Sequence, residues 1–138
     1  MQRGVIIGNK GILIVKRSET CKWLPNHWEF PGGKVDQKPT LLLQELKREL
    51  REETKLIDID FGDIVILETT VEKPKLLQCQ AENIITHYIL GRLNNGNSNV
   101  IISSEHNDHL WVSDLSQVIG LTFRPYTFDI LRTAFAKM

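Results

Sequence analysis

Residues 39–54 contain the feature that most constrains the fold, an amphipathic helix with an unusual arrangement of charges. Pro39 and Thr40 form a helix start, with Thr40 as the N-cap, and the pattern predicts a helix from about Leu41 to Thr54. On a wheel of roughly 100° per residue, the acidic side chains occupy one arc and the basic ones lie nearly opposite. The buried stripe between them consists of Leu42, Leu43, Leu46 and Leu50.

The acidic arc borders this stripe, so its carboxylates should face a groove at the edge of the core. Glu45 faces Glu49 and Glu49 faces Glu53, and like charges four residues apart destabilise a helix by a few tenths of a kcal/mol. A poorly paired solvated face is one explanation. A site for a hard divalent cation is the other, because the cation would turn the repulsion into binding energy.

The segment before the helix, FPGGKV, favours the second explanation. Gly32 and Gly33 allow tight turning and close approach of the backbone. Their carbonyl oxygens can join carboxylates around a hard cation, which prefers oxygen ligands. Lys34 adds a positive charge beside them. A glycine loop, a lysine and an acidic helix face therefore converge.

Charge and composition exclude several classes of partner. The 138 residues carry a formal net charge of zero, so no broad basic field would attract nucleic acid or a membrane surface. No apolar run approaches the roughly 18–20 residues of a membrane span. Cys21 and Cys79 lie far apart without metal-type spacing and are expected to be free thiols in a reducing compartment. A cytoplasmic location is expected.

The remaining segments predict an α/β (α+β) domain over residues 1–138, with a mixed sheet and helices on both faces. Alternating or β-branched runs predict the strands, and a Gly-Asn-Lys-Gly turn joins the first two. The predicted strands are Gly4–Gly8, Ile12–Lys16, Asp63–Val71, Asn83–Leu93, Val100–Ser103 and His109–Val112. Two further helices are predicted, Asp114–Ile119 and Pro125–Ala136.

The segment GGKVDQKPTLLLQELKRELREETKLI resembles the Nudix box, G-x5-E-x7-R-E-U-x-E-E-x-G-U with U aliphatic. Residues 48–53 match R-E-U-x-E-E without a gap, and WEFPGGKV resembles the MutT-like branch. The resemblance implies an α/β/α sandwich with a strongly curved mixed sheet. One extra residue lies between Gly33 and Arg48, and Thr40 stands where the pattern has its first Glu. Lys55 replaces the Gly that would normally end the helix in a left-handed conformation.

The resemblance also implies an activity, the hydrolysis of a nucleoside diphosphate linked to another group. A Mg²⁺-dependent pyrophosphohydrolase that cleaves a nucleoside triphosphate to a monophosphate and pyrophosphate is the leading hypothesis, with Mn²⁺ as an alternative cofactor. In this reading Glu52, Glu53 and the Gly32 carbonyl bind the metal. Glu49 binds a second metal or orients the water, and Arg48 holds Glu49 in place.

Other groups are candidates for contact with a small nucleotide substrate. Arg17 and Lys34 would touch substrate phosphate. Glu105, in SSEHNDHLWV, would be a further metal-binding or base glutamate, with Asp108 as its competitor. His106 and His109 are interpreted as ordinary polar residues. Four aromatic side chains could stack on a base: Trp23, Trp28, Phe123 and Tyr126.

Several alternatives to this function remain open. The chain could hydrolyse ADP-ribose or a dinucleotide, or could be a nucleotide-binding sensor without turnover. The three intact carboxylates of the box argue against a sensor. Removal of an RNA cap is disfavoured by the neutral charge and the lack of a basic stripe. Both a monomer and a homodimer are compatible with the sequence.

Overall fold

A computed structural model describes residues 1–33, 42–61, 68–73, 82–94 and 98–137. The two helices are α1 (Leu42–Thr54) and α2 (Thr127–Ala136), and a short 3₁₀ helix spans Leu115–Val118. The strands of the first half are β1 (Gln2–Gly8), β2 (Gly11–Arg17), β3 (Trp28–Glu29) and β4 (Gly32–Gly33). Those of the second half are β5 (Ile59–Asp60), β6 (Glu68–Lys73), β7 (Glu82–Leu93) and β8 (His106–Val112).

The described strands form one mixed sheet around the β1–β2 hairpin. β1 pairs in parallel with β7, with Gln2 opposite His87 and Ile7 opposite Arg92. The other pairings are antiparallel: β1 with β2 and β4, β2 with β3 and β8, and β7 with β5 and β6. A parallel pair needs a crossover connection, and the segment between β1 and β7 contains α1. The predicted mixed sheet is therefore confirmed.

Alternating residues of the central strands form two cores, because successive side chains of a strand point to opposite faces. One core packs Val5, Ile12 and Tyr88 against Ile130 and Leu131 of α2. The other core packs side chains of β1, β2 and β7 against α1; its members include Ile6, Leu13, Ile89, Leu46 and Leu50. The prediction that Leu43 is buried is wrong, since 39% of its surface is exposed. The expectation of helices on both faces of the sheet is thus met.

The end of α1 is fixed by the chain that follows it. Lys55 adopts the left-handed conformation, with a φ of 64°, and its amide donates to the Arg51 carbonyl at 3.0 Å. Lysine therefore fills the position where the Nudix pattern has glycine. Residues 98–103 then pass over the helix end, where the amides of Ile101 and Ser103 donate to the carbonyls of Thr54 and Glu53 at 3.1 and 3.2 Å.

This geometry makes the predicted strand Val100–Ser103 wrong, since residues 98–103 form no strand in the structure. Val100 and Ile102 pack against the core beside α1, whereas Ile101 is 64% exposed. The alternation in the sequence thus reflects packing on a helix end. The other predicted strands that the structure describes are present with shifted ends, and the first helix of the C-terminal pair is a 3₁₀ helix.

Lys34, Pro39, Thr40, Leu41 and Cys79 lie outside the described residues, as do 62–67, most of the predicted strand Asp63–Val71. In the described part of the chain, no helix is long and apolar enough to cross a membrane.

Candidate functional site

Glu53 lies in the last turn of α1 and is buried, with 4% of its surface exposed. Its Oε2 accepts a hydrogen bond from the Gly32 amide at 2.7 Å. Gly32 has a φ of 153°, and a Cβ on it would lie 2.1 Å from the carbonyl oxygen of Gln2. Only glycine fits there, so the close passage of β4 along β1 brings this amide to the Glu53 carboxylate.

Glu105 reaches the same point from the other end of the chain. The segment 98–103 passes over the end of α1 and leads into the turn before β8. The Glu105 carbonyl accepts from the Ser18 amide at 3.0 Å, and the Cys21 thiol lies 3.7 Å away. A carboxylate oxygen of Glu105 lies within 4.8 Å of one of Glu53. Oxygens of both lie within 4.8 Å of a ring nitrogen of His106.

The buried carboxyl group of Glu53 and the exposed one of Glu105 repel each other. Burial, with a smaller contribution from Glu105, raises the pKa of Glu53 to about 9 against the opposing effects of Arg3 and the Gly32 amide. Burial also raises the pKa of Glu49, where Glu52 and Glu105 act against Arg48. A divalent cation would relieve this crowding and satisfy the oxygens, so the donor set fits such a cation.

Arg48 organises the exposed part of the acidic arc. Its guanidinium donates to Glu45 Oε2 at 2.8 Å, to Glu52 Oε1 at 3.0 Å and to Glu49 Oε1 at 3.2 Å. The Glu52 side chain is 57% exposed, whereas that of Glu49 is 22% exposed. A Cβ on Gly33 would lie 2.9 Å from the Glu49 carboxyl carbon, so the glycine leaves room for that side chain.

A buried carboxylate, Glu29, gathers three arginines on the other side of the site. Arg124, Arg17 and Arg3 place NH1 atoms 3.1, 3.3 and 3.4 Å from its Oε1. Oε2 of Glu29 lies 2.9 Å from His106 Nε2. Burial would raise the pKa of Glu29, but Arg3, His106, Arg17 and Arg124 outweigh it and hold the pKa well below its ordinary value.

The three guanidinium groups give this region an excess of positive charge. Burial, together with the neighbouring charge of Arg3, lowers the pKa of Arg124 to about 10, although Glu29 opposes this. The guanidinium carbons of Arg124 and Arg17 lie 4.6 and 5.9 Å from the ring centroid of Trp23. NH2 atoms of Arg3 and Arg124 lie 3.2 and 3.4 Å from a weak acceptor, the sulfur of Met1. These guanidinium groups could therefore donate hydrogen bonds to an anionic ligand.

The carboxylates and the arginines border a single cavity of about 320 Å³. The lining residues form two groups that adjoin where Arg3 pairs with Gly32: Gly32, Gly33, Glu53 and Glu105, called the carboxylate end below, and the arginines with an aromatic ring. The residues of this arginine end, as it is called below, are Arg3, Arg17, Trp23, Glu29 and Arg124. The cavity thus offers a place for a cation beside a place for an anion.

The structure brings together residues that the sequence analysis named separately. Gly32, Glu53, Glu105 and Arg17 line the cavity, and Glu49 lies against Gly33 at its edge. Glu52 faces solvent and binds Arg48. Tyr126 is the N-cap of α2, has a φ of 71° and is 45% exposed, and it is not among the residues that line the cavity.

Arg3, Glu29 and Arg124 were not singled out in the sequence. They lie 26 and 95 residues apart along the chain, so no spacing connects them. Glu29 lies within WEFPGGKV, and Arg3 directly precedes the predicted strand Gly4–Gly8. His106 was interpreted as an ordinary polar residue, although it is buried between Glu29 and the carboxylates.

Comparison with known proteins supports the resemblance seen in the sequence. The model of the NUDIX domain matches residues 2–118. A comparison with curated proteins returned no significant match. A MutT protein from Methanosarcina mazei Go1 is 26% identical, with a TM-score of 0.68 and coverage of 99% of this chain and 91% of that one.

Two further solved structures share the fold at lower identity. An Ap4A hydrolase from C. elegans is 22% identical, with a TM-score of 0.70 and coverage of 99% of this chain and 96% of that one. A bifunctional NMN adenylyltransferase/ADP ribose pyrophosphatase from Francisella tularensis is 20% identical, with a TM-score of 0.69; the match covers 99% of this chain and 40% of that one. Together with the match over residues 2–118, the box and the fold lead to one conclusion: the chain belongs to the Nudix family.

Proposed function

We propose that this Nudix hydrolase is a pyrophosphohydrolase that cleaves a nucleoside triphosphate between its α and β phosphates, releasing a nucleoside monophosphate and pyrophosphate. The observation that carries the proposal is the cavity itself, where crowded carboxylates and three arginines line one volume of about 320 Å³. A substrate with phosphates bound to a divalent cation is complementary to both ends. Mg²⁺ is the proposed cation, with Mn²⁺ as an alternative.

At the carboxylate end, Glu53, Glu105 and the Gly32 carbonyl would hold the cation, with Glu52 as a further proposed ligand. When bound, the cation would shield phosphate oxygens and lower the pKa of a coordinated water. Glu49 would orient the attacking water, since it lies between Arg48 and Gly33 and has a raised pKa. Arg48 would fix Glu49 through its contact at 3.2 Å.

At the arginine end, Arg17, Arg124 and Arg3 would contact phosphate oxygens. Arg17 was proposed for this role from the sequence, and its binding to Glu29 keeps its guanidinium at the cavity wall. Lys34 and Tyr126 remain proposed contacts for phosphate and base. Hydrogen bonds between charged groups contribute about 1.5–3 kcal/mol each, so these arginines would supply much of the binding energy.

The cavity volume favours one nucleotide over a larger substrate. About 320 Å³ lies at the lower end of the roughly 300–1,000 Å³ typical of small-molecule sites. A dinucleotide or ADP-ribose would have to place a second nucleoside elsewhere. The similar structures include proteins described as MutT, Ap4A hydrolase and ADP ribose pyrophosphatase, so these substrate classes belong in the test.

We also propose a cytoplasmic location, in line with the neutral charge and the free thiol of Cys21.

The test is a substrate panel with product identification. Nucleoside triphosphates, a diadenosine polyphosphate and ADP-ribose are incubated with protein and Mg²⁺ or Mn²⁺, and products are separated by chromatography. A triphosphate is expected to give monophosphate and pyrophosphate with the highest kcat/KM. Glu53→Gln is expected to lose activity by orders of magnitude, whereas Glu19→Gln, at an exposed position, should keep it.

Two results would contradict the proposal. Preferential cleavage of the dinucleotide or of ADP-ribose would show that nucleoside triphosphates are not the preferred substrate class. Tight nucleotide binding without hydrolysis of any substrate, with divalent metal present, would instead identify a nucleotide sensor.

A further inference from the structure

His106 is a buried histidine placed beside the carboxylates of the site. It begins β8 directly after Glu105, and 5% of its surface is exposed. A ring nitrogen lies within 4.8 Å of carboxylate oxygens of both Glu53 and Glu105. Three side chains therefore present donor atoms to one small volume: two oxygens and one nitrogen.

Hydrogen bonding assigns different roles to the two ring nitrogens. Nε2 lies 2.9 Å from Oε2 of Glu29, which as a carboxylate only accepts hydrogen bonds, so Nε2 carries the proton. Arg3, Arg17 and Arg124 fix that carboxylate from the other side. Nδ1 is the nitrogen that remains, and it is buried without a hydrogen-bond partner among the described residues.

A buried nitrogen without a partner is costly, and in native structures it needs an explanation. The arrangement carboxylate–histidine–open nitrogen is the one that metal-binding histidines adopt, because the second ring nitrogen donates to a carboxylate that fixes the tautomer and orientation. Here Glu29 takes the place of that carboxylate, and a ring nitrogen of His106 lies within 4.8 Å of carboxylate oxygens of Glu53 and Glu105.

We propose that Nδ1 of His106 is a nitrogen ligand of the divalent cation held by Glu53 and Glu105. This inference rests on the metal site of the proposed function and extends it from oxygen donors to a mixed set. Imidazole suits transition metals, whereas Mg²⁺ prefers oxygen. The site should therefore bind Mn²⁺ or Co²⁺ more tightly than Mg²⁺, with His106 responsible for part of the difference.

The direct test is pulsed electron paramagnetic resonance on the wild-type protein loaded with one equivalent of Mn²⁺. A directly bound imidazole couples its ¹⁴N nucleus to the manganese electron spin, and growth on ¹⁵N-histidine changes that coupling. We expect a nitrogen coupling that responds to the label. Mn²⁺ with oxygen ligands only would overturn the inference, and would leave an ordered water as the partner of Nδ1.

Two matched variants assign the signal to a residue. His106→Gln keeps an amide group that can donate to Glu29 but has no ring nitrogen for the metal. His109→Gln changes a half-buried histidine three residues along the same strand. His106→Gln should lose the coupling and bind Mn²⁺ at least about tenfold more weakly by calorimetry, since even an outer-shell partner is worth that much. His109→Gln should retain both the coupling and the affinity.

The outcomes separate this inference from the proposed function. A nitrogen coupling that persists in His106→Gln, or a loss of Mg²⁺ affinity as large as that of Mn²⁺, overturns the role of His106 alone. A wild-type protein that binds no divalent cation overturns the metal site of the proposed function as well. If His106→Gln does not fold, the experiment on the wild-type protein still decides.

Discussion

At the scale of single residues, Glu29 decides the charge of the cavity. Its carboxylate neutralises one of three guanidinium groups, so the wall retains positive charge that lies out of bulk water. A free carboxylate at this position would favour amino groups of a ligand. Because Glu29 is engaged by Arg3, Arg17, Arg124 and His106, the cavity instead offers donors, and these select acceptor-rich or anionic groups.

Arg124→Met tests this reading of the arginine end. The change removes one donor and keeps an apolar chain beside Trp23, so substrate binding should weaken while the acid–base groups stay in place. We expect KM to rise at least about tenfold, equivalent to ~1.4 kcal/mol, with a smaller change in kcat. Steady-state kinetics measure both constants.

The effect of the same variant on stability should be moderate. Breaking a buried pair typically costs about 3–5 kcal/mol because the partner is left uncompensated. Glu29 keeps Arg3, Arg17 and His106, so the loss should be below that range. Arg132→Met is the control, since the side chains of Arg132 and its ion-pair partner Asp129 are both 64% exposed. This variant should change neither KM nor kcat. An unchanged KM in Arg124→Met would remove this residue from substrate binding.

At the scale of elements, the end of α1 positions the site. The left-handed turn at Lys55 sends the chain away from the helix, and the segment 98–103 returns to cover the last carbonyls. This cover leads directly into the turn that carries Glu105. The helix end thus serves two purposes: it satisfies its own backbone, and it brings Glu105 to Glu53.

The left-handed lysine gives a prediction about stability. A residue with a Cβ is strained at a φ of 64° by roughly 1–2 kcal/mol, whereas glycine is not, although glycine loses more chain entropy on folding. Lys55→Gly should therefore raise the free energy of unfolding by about 0.5–1 kcal/mol. Lys55→Ala, which keeps the Cβ, should leave it nearly unchanged. Chemical denaturation of the three proteins decides, and a glycine variant less stable than the alanine variant would contradict the strain.

The sequence predicted the elements whose pattern is local. The burial of Leu46 and Leu50 in α1, the alternation of β1, β2 and β7, and the acidic arc all follow from spacing within one segment. The predicted strand within 98–103 is wrong because packing on a helix end produces the same alternation of buried and exposed residues as a half-buried strand. No local pattern predicts the cluster around Glu29, because its members are brought together by strand pairing. In the sheet, Arg17 lies opposite His106 and Arg3 lies opposite Gly32.

At the scale of the whole molecule, the burial of Glu53 couples stability, pH and metal. Its pKa is about 9 in the folded protein, against an ordinary value of 4.5. Between these values the folded state binds a proton that the unfolded state has released. Stability therefore falls as pH rises through this window, by at most about 1.4 kcal/mol per pH unit from this group.

A bound divalent cation should reverse that trend, because it needs the deprotonated carboxylate. Its stabilisation grows with occupancy, to about 2.7 kcal/mol when the free cation is at 100 times its dissociation constant. The difference in free energy of unfolding with and without Mn²⁺ should consequently be small at pH 5.5 and larger at pH 8.

Glu53→Gln isolates this linkage from the titration of other groups, Glu49 included. The amide can still accept from Gly32 but carries no charge, so the metal-free variant should be more stable than the metal-free wild type at pH 8, with a smaller advantage at pH 5.5. It should also respond little to Mn²⁺ at either pH. The measurement is denaturant unfolding of both proteins at the two pH values, in chelator and in saturating Mn²⁺. If the free energy of unfolding changes equally with pH in the two metal-free proteins, Glu53 is not protonated in the folded state. The crowding inferred at the carboxylate end would then be absent.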